Sequence, residues 1–103
     1  MPTTLPRFTD RKADLTSRFF QVLSDPTRVR ILDALSRDEL CVQDIARTVG
    51  HSESAVSHQL RLLRGMRLVR ARRAGRLIFY ALDDQHIVQL FEQALTHVQE
   101  RRP

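Results

Sequence analysis

The chain has one cysteine, Cys41, in 103 residues. That excludes an intramolecular disulfide framework, and it excludes a soft-metal site built within one chain on paired thiolates. Glycine occurs only three times, and no glycine-rich loop of the kind that cradles phosphate is present. No nucleophile stands with a base and an orienting partner, which argues against an enzyme. No apolar run approaches a membrane span, and residues 1–8 lack the apolar core of a signal peptide. The chain therefore reads as cytoplasmic, with no membrane partner. It carries no internal repeat and no low-complexity segment. Lysine is nearly absent too, with Lys12 alone against a long roll of arginines.

The most informative absence is local. From 54 to 82 there is no Asp or Glu, while Arg61, Arg64, Arg67, Arg70, Arg72, Arg73 and Arg76 all fall there. The formal net charge is +5. A basic surface concentrated in this way points to an anionic partner, and nucleic acid is the natural one. Arginine suits two-point contact with phosphate or guanine, although genome composition alone can produce such a bias. The length fits one domain, large enough for a core and small enough to gain from a dimer interface.

In chain order, 1–9 reads as a flexible arm, 10–100 as a single domain and 101–103 as a tail. A helix is expected over 10–23, with Leu15, Phe19, Val22 and Leu23 on one face. Asp25 caps a second helix, and Pro26 takes its first position. This helix runs to about residue 36 and buries Val29, Ile31, Leu32 and Leu35. Residues 37–40 read as a polar connection. A short helix over 42–49 ends at Gly50 in a left-handed turn. Ser52 caps the next, over 53–64, which Gly65 ends. Two short helices across a tight glycine turn form a helix-turn-helix pattern.

The second of these helices has Val56, Leu60 and Leu63 inside. Ser54, Ser57, His58 and Arg61 lie outside at i, i+3, i+4 and i+7, with groups suited to base edges and phosphates in a major groove. The bland alternative is a solvated polar face, and the arginines that follow weigh against it. Residues 68–73 and 76–82, split by Ala74-Gly75, give a hairpin signal. Arg72, Arg73 and Arg76 stand at its tip. A basic hairpin after a helix-turn-helix is a wing, suited to the minor groove or flanking phosphates. One face of its second strand should cover the core. The fold expected is mainly α with a β-hairpin wing, a winged helix-turn-helix.

A last helix is expected over 84–100. Ile87, Leu90, Phe91, Ala94, Leu95 and Val98 form one stripe at the helical period. Asp83 or Asp84 can cap it. Metal-capable pairs stand at its two ends: Asp84 with His86, and His97 with Glu100. His86 and His97 are separated by roughly 16 Å along the axis, whereas zinc holds its ligands at about 2 Å. One chain cannot close such a site. Two copies laid antiparallel can, because facing residues then share a constant sum. Asp84 with Glu100 gives 184, and His86 with His97 gives 183. The bland alternative is again available: Asp84 as a simple cap, and two histidines on a solvated face.

The sequence resembles the ArsR/SmtB family of winged-helix metal-sensing repressors, and most closely its SmtB-type zinc sensors. The residues that carry the likeness are Leu23-Ser24-Asp25-Pro26-Thr27-Arg28, Glu39-Leu40-Cys41-Val42-Gln43-Asp44-Ile45-Ala46, Ser57-His58-Gln59-Leu60 with its flanks, Gly75-Arg76, and Asp84-x-His86 with His97-x-x-Glu100. The resemblance implies a homodimer through the first and last helices that binds double-stranded operator DNA with inverted-repeat symmetry. It implies repression by the metal-free dimer and release by Zn(II). It assigns Asp84, His86, His97 and Glu100 as intersubunit ligands, up to two sites per dimer, with Co(II) as a mimic. A second family site that draws on thiols is incomplete here, and Cys41 reads as a small buried residue. The competing readings are a family member answering another metal or oxidation at Cys41, and a winged-helix protein-interaction module without DNA function.

Overall fold

The computed structural model describes residues 7–100. The tail 101–103 and most of the arm, 1–6, lie outside the described residues. The elements in order are α1 (Asp10–Val22), α2 (Pro26–Arg37), β1 (Leu40–Cys41), α3 (Val42–Val49), α4 (Glu53–Gly65), β2 (Val69–Ala74), β3 (Leu77–Leu82) and α5 (Gln85–Gln99).

Local chemistry sets most of these boundaries. Before α2, Asp25 accepts the Arg28 amide at 3.0 Å and Pro26 opens the helix. Neither the missing N–H nor the fixed φ of proline costs anything there. After α3, Gly50 takes φ 73°, and its N–H reaches the Ala46 carbonyl at 2.9 Å. Ser52 then caps α4 by accepting the Ala55 amide at 3.1 Å. The three residues between α3 and α4 are thus a left-handed stop followed by a cap, which sets the helix-turn-helix angle.

Two sequence expectations are corrected, while Gly65 does end α4, as its last helical residue. The left-handed position is Arg67, at φ 59°. A side chain there costs on the order of 1–2 kcal/mol. The reversal is held by hydrogen bonds from the Arg67 N–H to the Arg64 carbonyl and from the Leu68 N–H to the Leu63 carbonyl. The connection at 37–40 is not wholly irregular, because Leu40 and Cys41 form a strand. It pairs antiparallel with β3, Leu40 opposite Tyr80 and Cys41 opposite Phe79. Finally, β3 is covered by face only at its root, where Tyr80 and Leu82 pack on the core. Burial runs along its length, from exposed Leu77 and Ile78 at the tip to buried Leu82 at the root. The tip projects beyond the core, as a wing must.

The sheet order is β1-β3-β2, all antiparallel. Between β2 and β3 a two-residue turn, Gly75-Arg76, puts the positive φ of 63° on glycine. That is the first central position, where a type II′ hairpin favours glycine. The core is Ile31, Leu32 and Leu35 of α2, Ile45, Ala46 and Val49 of α3, and Val56, Leu60 and Leu63 of α4, closed by Leu68, Val69 and Leu82. Neither α1 nor α5 contributes a buried residue. Both are amphipathic, yet much of their apolar face is left open.

Candidate nucleic-acid interface and metal-ligand pairs

Helix α4 divides as its sequence requires. Val56, Leu60 and Leu63 are buried, while Ser54, His58 and Arg61 are exposed and Ser57 is half-buried. The four outward residues therefore share one accessible face, with Glu53 in the first turn where its charge complements the helix dipole. One neighbour on this helix is used inwardly. Gln59 accepts the Arg28 Nε–H at 2.8 Å, and the same guanidinium reaches the Val22 carbonyl at 3.4 Å. Arg28 thereby ties the end of α1, the start of α2 and the side of α4 together. The contact with Gln59 was not foreseeable, because it crosses 31 residues of sequence.

The wing differs from the expectation in one respect. Arg73 and Arg76 are exposed at its tip, and Arg73 Nε donates to the Gly75 carbonyl at 3.2 Å. Arg72 is also exposed but is engaged. Its Nε donates to both carboxylate oxygens of Glu39, at 2.8 and 2.9 Å, and its Nη2 approaches Oε1 at 2.5 Å. Its guanidinium also lies 5.0 Å from the centroid of the Phe79 ring. Arg70 is tied as well, donating to the Asp83 carbonyl at 2.9 Å. The acid-free stretch thus meets an acid supplied by the segment before β1.

This pairing has a pH signature. The Arg72 hydrogen bond holds the Glu39 carboxyl below its ordinary 4.5, against some desolvation, with the Arg72 and Arg70 charges adding to the lowering. A depressed carboxyl contributes its stability above its unfolded value and loses it as pH falls through the lower folded value. The attachment should therefore be fully present at neutral pH and released only below 4.5. NMR titration of the Glu39 carboxyl checks this. The midpoint should lie below 4.5 in the wild type and return towards 4.5 in Arg72→Gln. A wild-type midpoint at or above 4.5 would refute the attachment.

The four residues at the ends of α5 are arranged as pairs. Asp84 caps the helix, accepting the Ile87 amide at 3.1 Å, and its Oδ1 is 3.5 Å from His86 Nδ1. The hydrogen bond from the Ile87 N–H is the largest influence holding the Asp84 carboxyl below its usual range; the charge of His86, when protonated, adds to it. His97 stands in the last turn and Glu100 is the C-cap residue. All four are exposed. Among the described residues no three His, Cys, Asp or Glu side chains of one chain are grouped to hold a metal. Each end of α5 offers one nitrogen and one carboxylate, half of a four-ligand set. The donor chemistry fits zinc, and a second copy is needed to complete it.

Cys41 is buried, and its thiol lies 3.3 Å from Asp44 Oδ2. Beside the α5 pairs runs an open apolar groove of about 470 Å³, lined from α1 and α2 by residues such as Phe19, Phe20 and Leu32 and from α5 by Leu90, Leu95 and Val98. Phe20 is 58% exposed and Val98 66%.

Residues 25–71 match the model of the bacterial regulatory protein, arsR family. The chain is 49% identical over 89 residues to the transcriptional repressor SmtB homolog of a Synechocystis species, spanning 86% of this chain and 67% of that protein. The crystal structure of the AntR antimony-specific transcriptional repressor superposes with a TM-score of 0.82 at 36% identity, covering 95% of this chain and 89% of the other. So does the solution structure of a homodimeric winged helix-turn-helix DNA-binding domain from Mycobacterium bovis, a possible ArsR-family regulator. Its TM-score is 0.82 at 30% identity, with 93% and 92% covered. The matched segment contains the whole helix-turn-helix, and the likeness to solved structures extends over the wing and the flanking helices. The chain belongs to the ArsR/SmtB family of bacterial regulatory proteins, as a winged helix-turn-helix transcriptional regulator and not an enzyme.

Proposed function

We propose that this protein is a zinc-responsive transcriptional repressor. Two copies pair through α1 and α5 and present their α4 helices to the two halves of an inverted-repeat operator. Ser54, Ser57, His58 and Arg61 face the major groove, and Arg73 and Arg76 of the wing meet phosphate or minor groove. The observation that carries the metal assignment is the placement of the donors. Two pairs, each of one imidazole and one carboxylate, stand exposed at opposite ends of one helix whose apolar stripe is partly uncovered, at Leu90, Leu95 and Val98. Antiparallel pairing of α5 brings Asp84 and His86 of one copy towards His97 and Glu100 of the other. The set of two nitrogens and two oxygens suits Zn(II), which binds four such ligands as a closed tetrahedron.

Response to antimony, which the name of one relative specifies for that protein, is disfavoured here by the donor set, since the single thiol is buried. The same burial counts against a redox signal at Cys41, which needs an accessible thiolate. The test is titration of the purified protein with Co(II), followed by visible absorption and then by Zn(II) competition. Intense tetrahedral bands without a thiolate charge-transfer band are expected, saturating at up to two ions per dimer and erased by zinc. Weak octahedral bands would show that another metal is the ligand. An absence of binding would leave a DNA-binding regulator with a different signal.

A further inference from the structure

We propose that Glu39 is a positioning residue for the wing: it holds Arg72 across the sheet and so leaves the phosphate contacts of the wing to Arg73 and Arg76. The inference rests on the reading of the wing as a DNA contact and refines it. In the sheet order β1-β3-β2, Arg72 of β2 stands opposite Phe79 of β3, and Phe79 stands opposite Cys41 of β1. These three residues form one row across the sheet. The Arg72 side chain runs along that row. Its guanidinium passes the Phe79 ring at 5.0 Å and ends on the Glu39 carboxylate, just before β1. One side chain on an outer strand thus crosses the middle strand and is fastened beside the other outer strand.

The fastening answers a weakness of the fold. β1 has two residues and only two paired positions with β3. The hairpin beyond it projects with exposed Leu77 and Ile78 and no core beneath. A planar guanidinium meeting both carboxylate oxygens fixes direction as well as distance, which a lysine ammonium does not. Successive strand residues alternate in face, so Arg73 points to the side opposite Arg72. The strap therefore leaves the Arg73 and Arg76 charges at the tip, held at a fixed angle to α4.

Counterion release separates a strap from a phosphate contact. Each phosphate neutralised contributes about 0.9 to the slope of log K against log salt. The probe is a mixed-sequence DNA duplex bound by the full chain, followed by fluorescence anisotropy over a range of salt. Arg73→Gln should lower the slope by about 0.9 for each wing engaged, whereas Arg72→Gln should leave it unchanged. Glu39→Gln should raise it, because the freed Arg72 becomes available to phosphate. That rise should vanish in the Glu39→Gln, Arg72→Gln double variant, which distinguishes release of Arg72 from mere loss of an acid. All three substituted positions are exposed, and circular dichroism verifies folding. A slope lowered by Arg72→Gln as much as by Arg73→Gln would overturn the proposal, and so would a rise that persists in the double variant. If Arg73→Gln has no effect while DNA is still bound, the wing is not a DNA contact. The proposal then fails, although the repressor reading through α4 stands.

Discussion

Zinc should lose its effect on DNA binding in His97→Ala, while the metal-free variant binds DNA like the wild type. The reason lies in where His97 stands. It is exposed in the last turn of α5, so truncation leaves no cavity and no unpaired buried group. The fold and the α4 face should be untouched. The loss falls on metal binding, because a four-ligand set reduced to three holds zinc far more weakly and no longer closes around it. Metal-to-DNA couplings of this kind typically amount to about 1–3 kcal/mol, or roughly 5- to 150-fold in affinity. The wild type should show such a drop in operator affinity when zinc is added, and His97→Ala should show none. Because linkage is reciprocal, operator DNA should weaken zinc binding to the wild type by the same factor. Anisotropy titrations with and without zinc, on both proteins, decide the matter. Full zinc-driven release by His97→Ala would remove the site assignment. Acid should also weaken zinc binding, since both histidines must be neutral to ligate.

Local signals were the legible part of this chain. Asp25-Pro26, Gly50 with Ser52, and Asp84 each act through neighbouring backbone, so a window of a few residues contains the whole cause. The apolar periodicities of α2 and α4 were equally readable, because a helix displays its buried face at fixed spacing. What escaped was set by long-range pairing. β1 is two residues long, too short for any periodicity, and exists because β3 offers Tyr80 and Phe79 as partners. Glu39 and Arg72 are 33 residues apart, and Arg28 and Gln59 are 31 apart. No spacing rule relates such pairs. The reversal at Arg67 was missed for a different reason. Gly65 carries the usual helix-stop signal, yet the chain turns two residues later, where tertiary packing of Leu63 and Leu68 in the core sets the path. The His and carboxylate pairs at the ends of α5 were legible as pairs, but closing them into the proposed site requires a second chain, which a single sequence describes only through the symmetry of its numbering.

The second large effect concerns that second chain. Leu95→Asp should abolish dimerisation and, with it, high-affinity binding to an operator with two half-sites. Leu95 lines the groove between α1 and α5 and is 37% exposed in the single chain. The monomer fold can therefore accept a carboxylate there, with the charge turned to water. A dimer closed over the groove cannot, since two-fold symmetry would bury one such charge on each copy against Phe20 and Val98 or their symmetry mates. An isolated buried carboxylate is far costlier than a lost contact. The fold itself favours a self-partner: α1 and α5 have no fully buried residue within the chain, and Phe20, Leu95 and Val98 of their apolar stripes stay open. Linking two half-site readers typically raises affinity about 100- to 10,000-fold over one, so the variant should lose at least about 100-fold on the operator. It should keep the single-copy affinity and the circular dichroism of the wild type. Zinc response should disappear with the dimer, even though all four ligands remain, because each copy holds only half of each site. Analytical ultracentrifugation and operator titration test these outcomes together. A Leu95→Asp protein that sediments as a monomer yet binds and releases operator like the wild type would show that neither half-site reading nor the metal pairs depend on a second copy.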